Sequence, residues 1–309
     1  MADVSGSSRG RRPIGRTLRA WTLIELLTVL AIIAVLAGIA VPVVGSVRQS
    51  ARKSKCGANL QGLATALAEF AVQERHYPAH LSELVPEYVS DTSRLHCRND
   101  PIKGRITYDL FYARRATVES DAGIVCACAF HGRDKGWMMR KGGDLEYVTF
   151  QSATVHGNSE MRPRESADWV PADGKRVRPG DALRTAKGCA VQFDDGTVLR
   201  LRPGTEITIA ALCASPDGGS ITAVGMYVGE VYAEVKHLLT RNSTFEVVTP
   251  SAVTGVRGTS FAVHVPPNGD TDVHVYQGAV RVTTWDGRQY TLKKYQRVHV
   301  SGPGDDSDD

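Results

Sequence analysis

Three regimes of apolar and polar spacing follow one another along this chain. From Trp21 to Val44 the residues WTLIELLTVLAIIAVLAGIAVPVV carry one charge, Glu25. At about 1.5 Å per helical residue the run measures about 36 Å, against about 30 Å of bilayer hydrocarbon, and predicts a transmembrane helix over 21–44. A secretory signal would have a shorter core closed by a small-residue cleavage site. Here the core passes Gly38 and Pro42 into a second pattern, which favours a retained anchor. In that pattern Leu60, Leu63, Leu67 and Phe70 recur at spacings of three and four, one face of an α-helix. Pro78 is expected to stop this helix, and His80-Leu-Ser-Glu-Leu-Val-Pro predicts a short second one. Residues 45–150 therefore read as a stalk helix with a small α+β headgroup.

Residues 151–172 have no apolar period, gather Ser, Pro, Glu and Arg, and read as a linker. Beyond them the period becomes two. Ala190-Val-Gln-Phe, the turn Asp194-Asp-Gly196 and Thr197-Val-Leu-Arg-Leu form a hairpin signature. Further alternating segments near 206, 231, 245, 260, 272, 280 and 297 predict an all-β sandwich or solenoid-like domain over 173–300. The acidic end, 301–309, reads as disordered.

Charge sets orientation. Five Arg and one Asp precede the apolar run, which places a short basic segment, 1–20, in the cytoplasm and the bulk of the chain outside the membrane. The formal charge is +4. Taking away the five Arg and one Asp of residues 1–20 brings it to zero, which removes the case for a nucleic-acid partner.

Six cysteines lie beyond the apolar run: Cys56, Cys97, Cys126, Cys128, Cys189 and Cys213. An even number in an exported chain predicts disulfides or inert thiols. Cys189 with Cys213 is a local pair, and the other four allow three connectivities. A metal reading also exists, since His96-Cys97 and Cys126-Ala-Cys128-x-x-His131 offer soft ligands. The spacing C-x-C-x-x-H departs from that of structural zinc sites, so no metal and no cofactor is expected. No arrangement of His, Ser, Cys or carboxylates matches a catalytic motif, and the chain is expected not to be an enzyme.

A buried acid needs a partner, and Glu25 invites one. The octapeptide Ala20-Trp21-Thr22-Leu23-Ile24-Glu25-Leu26-Leu27 resembles the processing segment of type IV prepilins and type II secretion pseudopilins. That resemblance implies cleavage between Ala20 and Trp21 by a prepilin peptidase, methylation of Trp21, Glu25 as the carboxylate that pairs with a neighbouring subunit, and Pro42 as a helix kink. Ala20 stands where the family has Gly, and Trp21 where it has Phe. The fold expected is α+β: a long transmembrane pilin-like helix and a pilin-like headgroup, then the β domain. Gly180-Asp-Ala-Leu-Arg-Thr, Phe193-Asp-Asp-Gly-Thr-Val-Leu-Arg-Leu, Gly229-Glu-Val-Tyr, Val256-Arg-Gly-Thr-Ser-Phe and Val273-His-Val-Tyr-Gln-Gly resemble the FecR domain. Together the resemblances imply a non-enzymatic, single-pass subunit of the bacterial inner membrane, with its bulk in the periplasm or in a filament. Its expected partners are other pilins or pseudopilins, the peptidase, membrane lipid and an unknown ligand of the FecR-like domain. The alternative is an unprocessed, membrane-anchored periplasmic binding and sensing protein.

Overall fold

In a computed structural model of the chain, the residues described are 23–74, 77–78, 80–112, 124–132, 134–140, 143–214, 220–236, 243–256, 258–284 and 287–302. They belong to two compact units, Met1–Ala51 and Arg52–Asp309.

One helix, α1 (Leu23–Glu74), opens the described chain. Its first part corrects the expected fold class. Among the described residues no helix is long and apolar enough to cross a membrane, so the transmembrane pilin helix over 21–44 is not found. A basic, polar stretch, Arg48-Gln-Ser-Ala-Arg-Lys-Ser-Lys, then occupies the same helix. The last part of α1 keeps the expected periodic face: Leu60, Leu63, Leu67 and Phe70 are all buried. They pack with Leu81 and Leu84 of a short 3₁₀ helix, Leu81–Leu84, and with Leu95 of a second, Thr92–Leu95.

Three antiparallel strands complete this headgroup: β1 (Ile124–Cys128), β2 (Lys135–Arg140) and β3 (Leu145–Thr149). Cys128 stands opposite Trp137, and Trp137 opposite Tyr147. The close approach of β2 to β1 depends on Gly136, where a Cβ would lie 2.0 Å from the Cys128 carbonyl oxygen. Trp137 ties the sheet to the helix by donating from Nε1 to the Lys53 carbonyl at 3.1 Å.

From Ala153 onward, sixteen strands form one hydrogen-bonded network. Its hub is the strand Ser220–Glu234. Residues 220–228 pair with Thr205–Ala214 and, in parallel, with Thr244–Val248. Residues 229–234 pair instead with Ser260–Val265 and Val198–Leu201. One strand thus serves two sheets, and the change of partner falls at Gly229. Its φ is +107°, and a Cβ there would sit 2.4 Å from Thr205 Cα, so only glycine can turn this corner. The inner faces of the two sheets share one core, in which Phe193 of one meets Phe245 of the other edge-to-face at 5.7 Å. Period-2 burial is plain in Thr271–Gln277, where Val273 and Val275 are buried between the exposed Asp272 and Tyr276 and the half-buried His274.

The expected hairpin is present. Cys189–Phe193 pairs antiparallel with Val198–Leu201, and Gly196 turns with φ +82°. The segment expected as a linker differs. Residues 151–172 supply the strands Ala153–Gly157, Glu160–Arg162 and Val170–Pro171, with Ala153, Val155, Met161 and Ala172 in the core. Their apolar alternation is only two or three positions long, too brief to register as a period.

Candidate functional site

The headgroup gathers four buried soft-ligand side chains: Cys56, Cys97, Cys128 and His131. Their three sulfurs and one ring nitrogen all lie within 4.8 Å of one another. Cys56 comes from the buried face of α1, one turn before Leu60. Cys97 follows the 3₁₀ helix Thr92–Leu95, Cys128 ends β1, and His131 lies three residues on, where the chain leaves the sheet.

Each side chain is held by its surroundings. The Cys97 loop is fixed by Asp100, whose buried carboxylate accepts from Arg105 Nε at 2.7 Å, from Arg105 Nη2 at 2.8 Å, from Thr107 Oγ1 at 2.8 Å and from the Ile102 amide at 2.9 Å. Thr107 Oγ1 in turn accepts the Cys97 amide at 3.0 Å. A two-pronged guanidinium–carboxylate pair gives this loop directional rigidity. Arg105 Nη2 also donates to the Arg164 carbonyl. His131 Nε2 lies 3.4 Å from Cys97 Sγ, and its Nδ1 lies 3.3 Å from Asn99 Nδ2, which also donates to the Phe130 carbonyl at 3.0 Å. Tyr147 Oη donates to the His131 carbonyl at 2.9 Å. Cys56 Sγ meets the buried Tyr108 hydroxyl at 3.2 Å.

The three thiols do not share charge evenly. Hydrogen bonds from Cys128, then Cys56 and His131, hold Cys97 well below the usual thiol range. Burial pushes Cys128 well up, and its hydrogen bonds to the other two sulfurs add to this. For Cys56 the bond with Cys128 pulls downward, but the bond with Cys97, burial and the Cys97 charge outweigh it, raising the thiol to about 12. Burial, reinforced by the Cys56 charge, raises the Tyr108 hydroxyl as well. The shifts thus run in opposite directions: downward for Cys97 and upward for Cys56 and Cys128.

A cleft of about 520 Å³ opens beside it. Cys56 and Cys97 reach its wall, and Arg52, Lys55, Arg94 and Arg98 line it among others. The cluster therefore lies below a cationic opening.

The other site residues expected from sequence fall elsewhere. Ala20 and Trp21 lie outside the described residues. Glu25 occupies the first turn of α1, and Pro42 lies within the same helix. All six cysteines are free and buried. Cys126 Sγ donates to the Tyr108 carbonyl at 3.4 Å rather than joining the cluster. Cys189 packs in the sandwich core, whereas Cys213 packs in the headgroup core, 3.6 Å from Met138 Sδ. His96 Nδ1 is occupied by the Arg105 carbonyl at 3.1 Å and Thr107 Oγ1 at 3.0 Å. The local signal in the sequence was Cys128-x-x-His131, one ligand pair at close spacing, with Cys126 a distraction beside it.

Comparison with known proteins bears on the second region. Residues 181–281 match the FecR protein family. No curated protein matches the chain. Two solved structures of a proposed anti-sigma factor from Parabacteroides distasonis, at 1.65 and 2.50 Å resolution, are similar over 39% of this chain at 25% and 24% identity. Their TM-scores are 0.34 and 0.33, and the similar part spans 54% of each of those chains, about half their length. The matched region contains the strand that serves both sheets, with its corner at Gly229, and most of the shared core. Residues 181–281 of this chain are a FecR domain.

Proposed function

We propose that the chain is a non-enzymatic regulatory binding protein, anchored by its N-terminal segment, in which the FecR domain receives a signal and passes it to a protein partner. The observation that carries this reading is the FecR match over 181–281. It replaces the filament-subunit reading. Without a helix able to span the membrane among the described residues, assembly with pilins or pseudopilins, processing by a prepilin peptidase and a place in type II secretion lose their structural basis. The sensing alternative needs only an attachment. The exposed apolar side chains of α1, among them Leu23, Ile24, Leu30 and Leu36, are suited to contact lipid without crossing it.

The outer face of the FecR sandwich offers a recognition surface. Tyr232 and Tyr276 stand edge-to-face at 5.5 Å, and His274 lies 4.5 Å from Tyr276. Arg200 lies over Tyr232 at 6.0 Å. Aromatic and Arg side chains on a rigid sheet are what protein contacts favour.

The test is genetic. The host is compared with a strain lacking the whole gene and with one whose chromosomal copy carries Tyr232→Ala and Tyr276→Ala. Both strains are expected to show the same shift in a defined set of transcripts, with the double variant still present at wild-type abundance. Unchanged transcription in both strains, or recovery of the protein in sheared surface filaments, would overturn the reading.

A further inference from the structure

We propose that Cys56, Cys97, Cys128 and His131 bind one zinc ion as a closed, tetrahedral Cys₃His structural site that clamps α1 to the headgroup sheet. The proposal stands on geometry and is independent of the regulatory reading of the FecR domain.

Three features carry it. The first is the donor set. Three sulfurs and one imidazole nitrogen are a structural zinc complement, and soft thiolates disfavour magnesium and calcium. The second is distance. A tetrahedron with metal–sulfur bonds of about 2.3 Å has sulfur–sulfur edges of about 3.8 Å and sulfur–nitrogen edges of about 3.5 Å. The Cys97 Sγ to His131 Nε2 separation, 3.4 Å, already equals such an edge, and no pair of donor atoms exceeds 4.8 Å. Side-chain rotations of under about 1 Å therefore close the site. The third is convergence. Four side chains from α1, a loop, a strand end and a turn meet with all four buried, in a molecule whose remaining cysteines do not join them. A disulfide would use two of the three sulfurs and strand the third beside the histidine.

Four protein ligands leave no open position for water or substrate, which makes the site structural rather than catalytic. The surrounding groups suit that role. Asn99 Nδ2 lies 3.3 Å from His131 Nδ1 and is fixed by donating to the Phe130 carbonyl, so Asn99 helps hold the ring with Nε2 toward the sulfurs. The Asp100–Arg105 pair holds the Cys97 loop, and Tyr108 backs Cys56. The complex carries a net charge of −1, and the cationic cleft beside Cys56 and Cys97 offsets it and provides an entry path. Binding moves no electrons: each protonated thiol that joins the metal releases its proton to solvent.

The experiment uses the full chain, purified in detergent without chelator. Elemental analysis is expected to find one zinc per chain, with six titratable thiols after denaturation and zinc removal. Cobalt(II) exchanged into the protein is expected to give the visible bands of a tetrahedral ion and thiolate charge transfer in the near ultraviolet. Cys97→Ser and His131→Ala should lose stoichiometric metal, Asn99→Ala should weaken affinity about ten- to a hundredfold, and Cys189→Ser should keep the full complement. If the ligand variants fail to fold, the wild-type stoichiometry and cobalt spectrum still decide. A well-folded wild-type chain that carries no zinc and gives no tetrahedral cobalt spectrum would overturn the proposal. So would a disulfide mapped among Cys56, Cys97 and Cys128.

Discussion

The headgroup and the FecR sandwich are neighbours in one compact unit, yet different means hold them together. The sandwich rests on repetition. Its strands alternate inward and outward residues, and Val155, Val191, Leu199, Phe245, Val263, Val273 and Val282 fill one core between two sheets. The headgroup has three short strands, three short 3₁₀ helices (the third is Thr107–Phe111) and one helix face, with a cluster of polarisable side chains and a buried ion pair at its centre. A region with little regular structure buries less surface per residue and is more often stabilised by cross-links, disulfide or metal. The sandwich can lose a polar contact and stand, whereas the headgroup depends on a few specific ones.

Substitutions can break this contrast, and the largest effect is expected in the sandwich core. Phe245 is buried at the meeting of the two sheets, against Phe193. Phe245→Ala should cost about 3–5 kcal/mol, read from the midpoint of urea unfolding. A loss below about 1 kcal/mol would mean that the two sheets do not share a core.

Next comes the headgroup. Asp100→Ala removes the acceptor that holds Arg105, Thr107 and the Cys97 loop. Hydrogen bonds to a buried charge contribute about 1.5–3 kcal/mol. The expected result is a loss of that size, together with faster reaction of Cys97 with a thiol reagent. An unchanged alkylation rate would show that the loop does not position the sulfur.

A smaller effect separates the regions by pH. Burial raises the Asp181 carboxyl above its ordinary range, although the Arg164 and Arg178 amides donate to it at 2.8 Å each. A carboxyl whose folded pKa is raised binds its proton more tightly in the folded state. Its contribution is therefore complete below the unfolded value, near 3.9, and is lost as pH rises through the higher folded value. The difference in stability between wild type and Asp181→Asn should shrink as pH rises through that window. A difference that grows would reverse the sign and contradict the burial account.

The smallest effect is on the surface. Arg176 and Asp194 pair at 2.9 Å with both side chains more than half exposed. Arg176→Ala should change stability by less than about 1 kcal/mol, with the shift diminished further in high salt. A larger, salt-insensitive loss would move this pair from decoration to framework.

The same contrast decides what could be read from the sequence. Periodic elements were legible: the Leu60, Leu63, Leu67 and Phe70 face, and the hairpin around Asp195-Gly196, follow from spacing that any local window contains. The FecR phrases were legible too, because they mark turns and strand junctions in a fixed order. The cysteine–histidine cluster was not. Its members come from four separate elements, and only Cys128 and His131 are close in sequence, so convergence depends on how α1 packs against β1. The apolar run after Trp21 misled in the opposite direction. Composition alone suggested a spanning length, but among the described residues no helix is long and apolar enough to cross a membrane, and the helix continues into Arg48 and its basic neighbours. Residues 151–172 read as a linker because Ala153, Val155 and Met161 enter the core through strands of five and three residues.

The most direct measurement of the contrast is hydrogen exchange on the full-length wild-type protein with and without a zinc chelator. The predicted result is a loss of protection in the headgroup, strongest in Leu60–Phe70 and in β1 to β3, while the strands from Ala153 to Val300 keep theirs. Equal loss in both regions, or no loss in either, would contradict the view that one region is clamped by its ligand cluster and the other by its sheets.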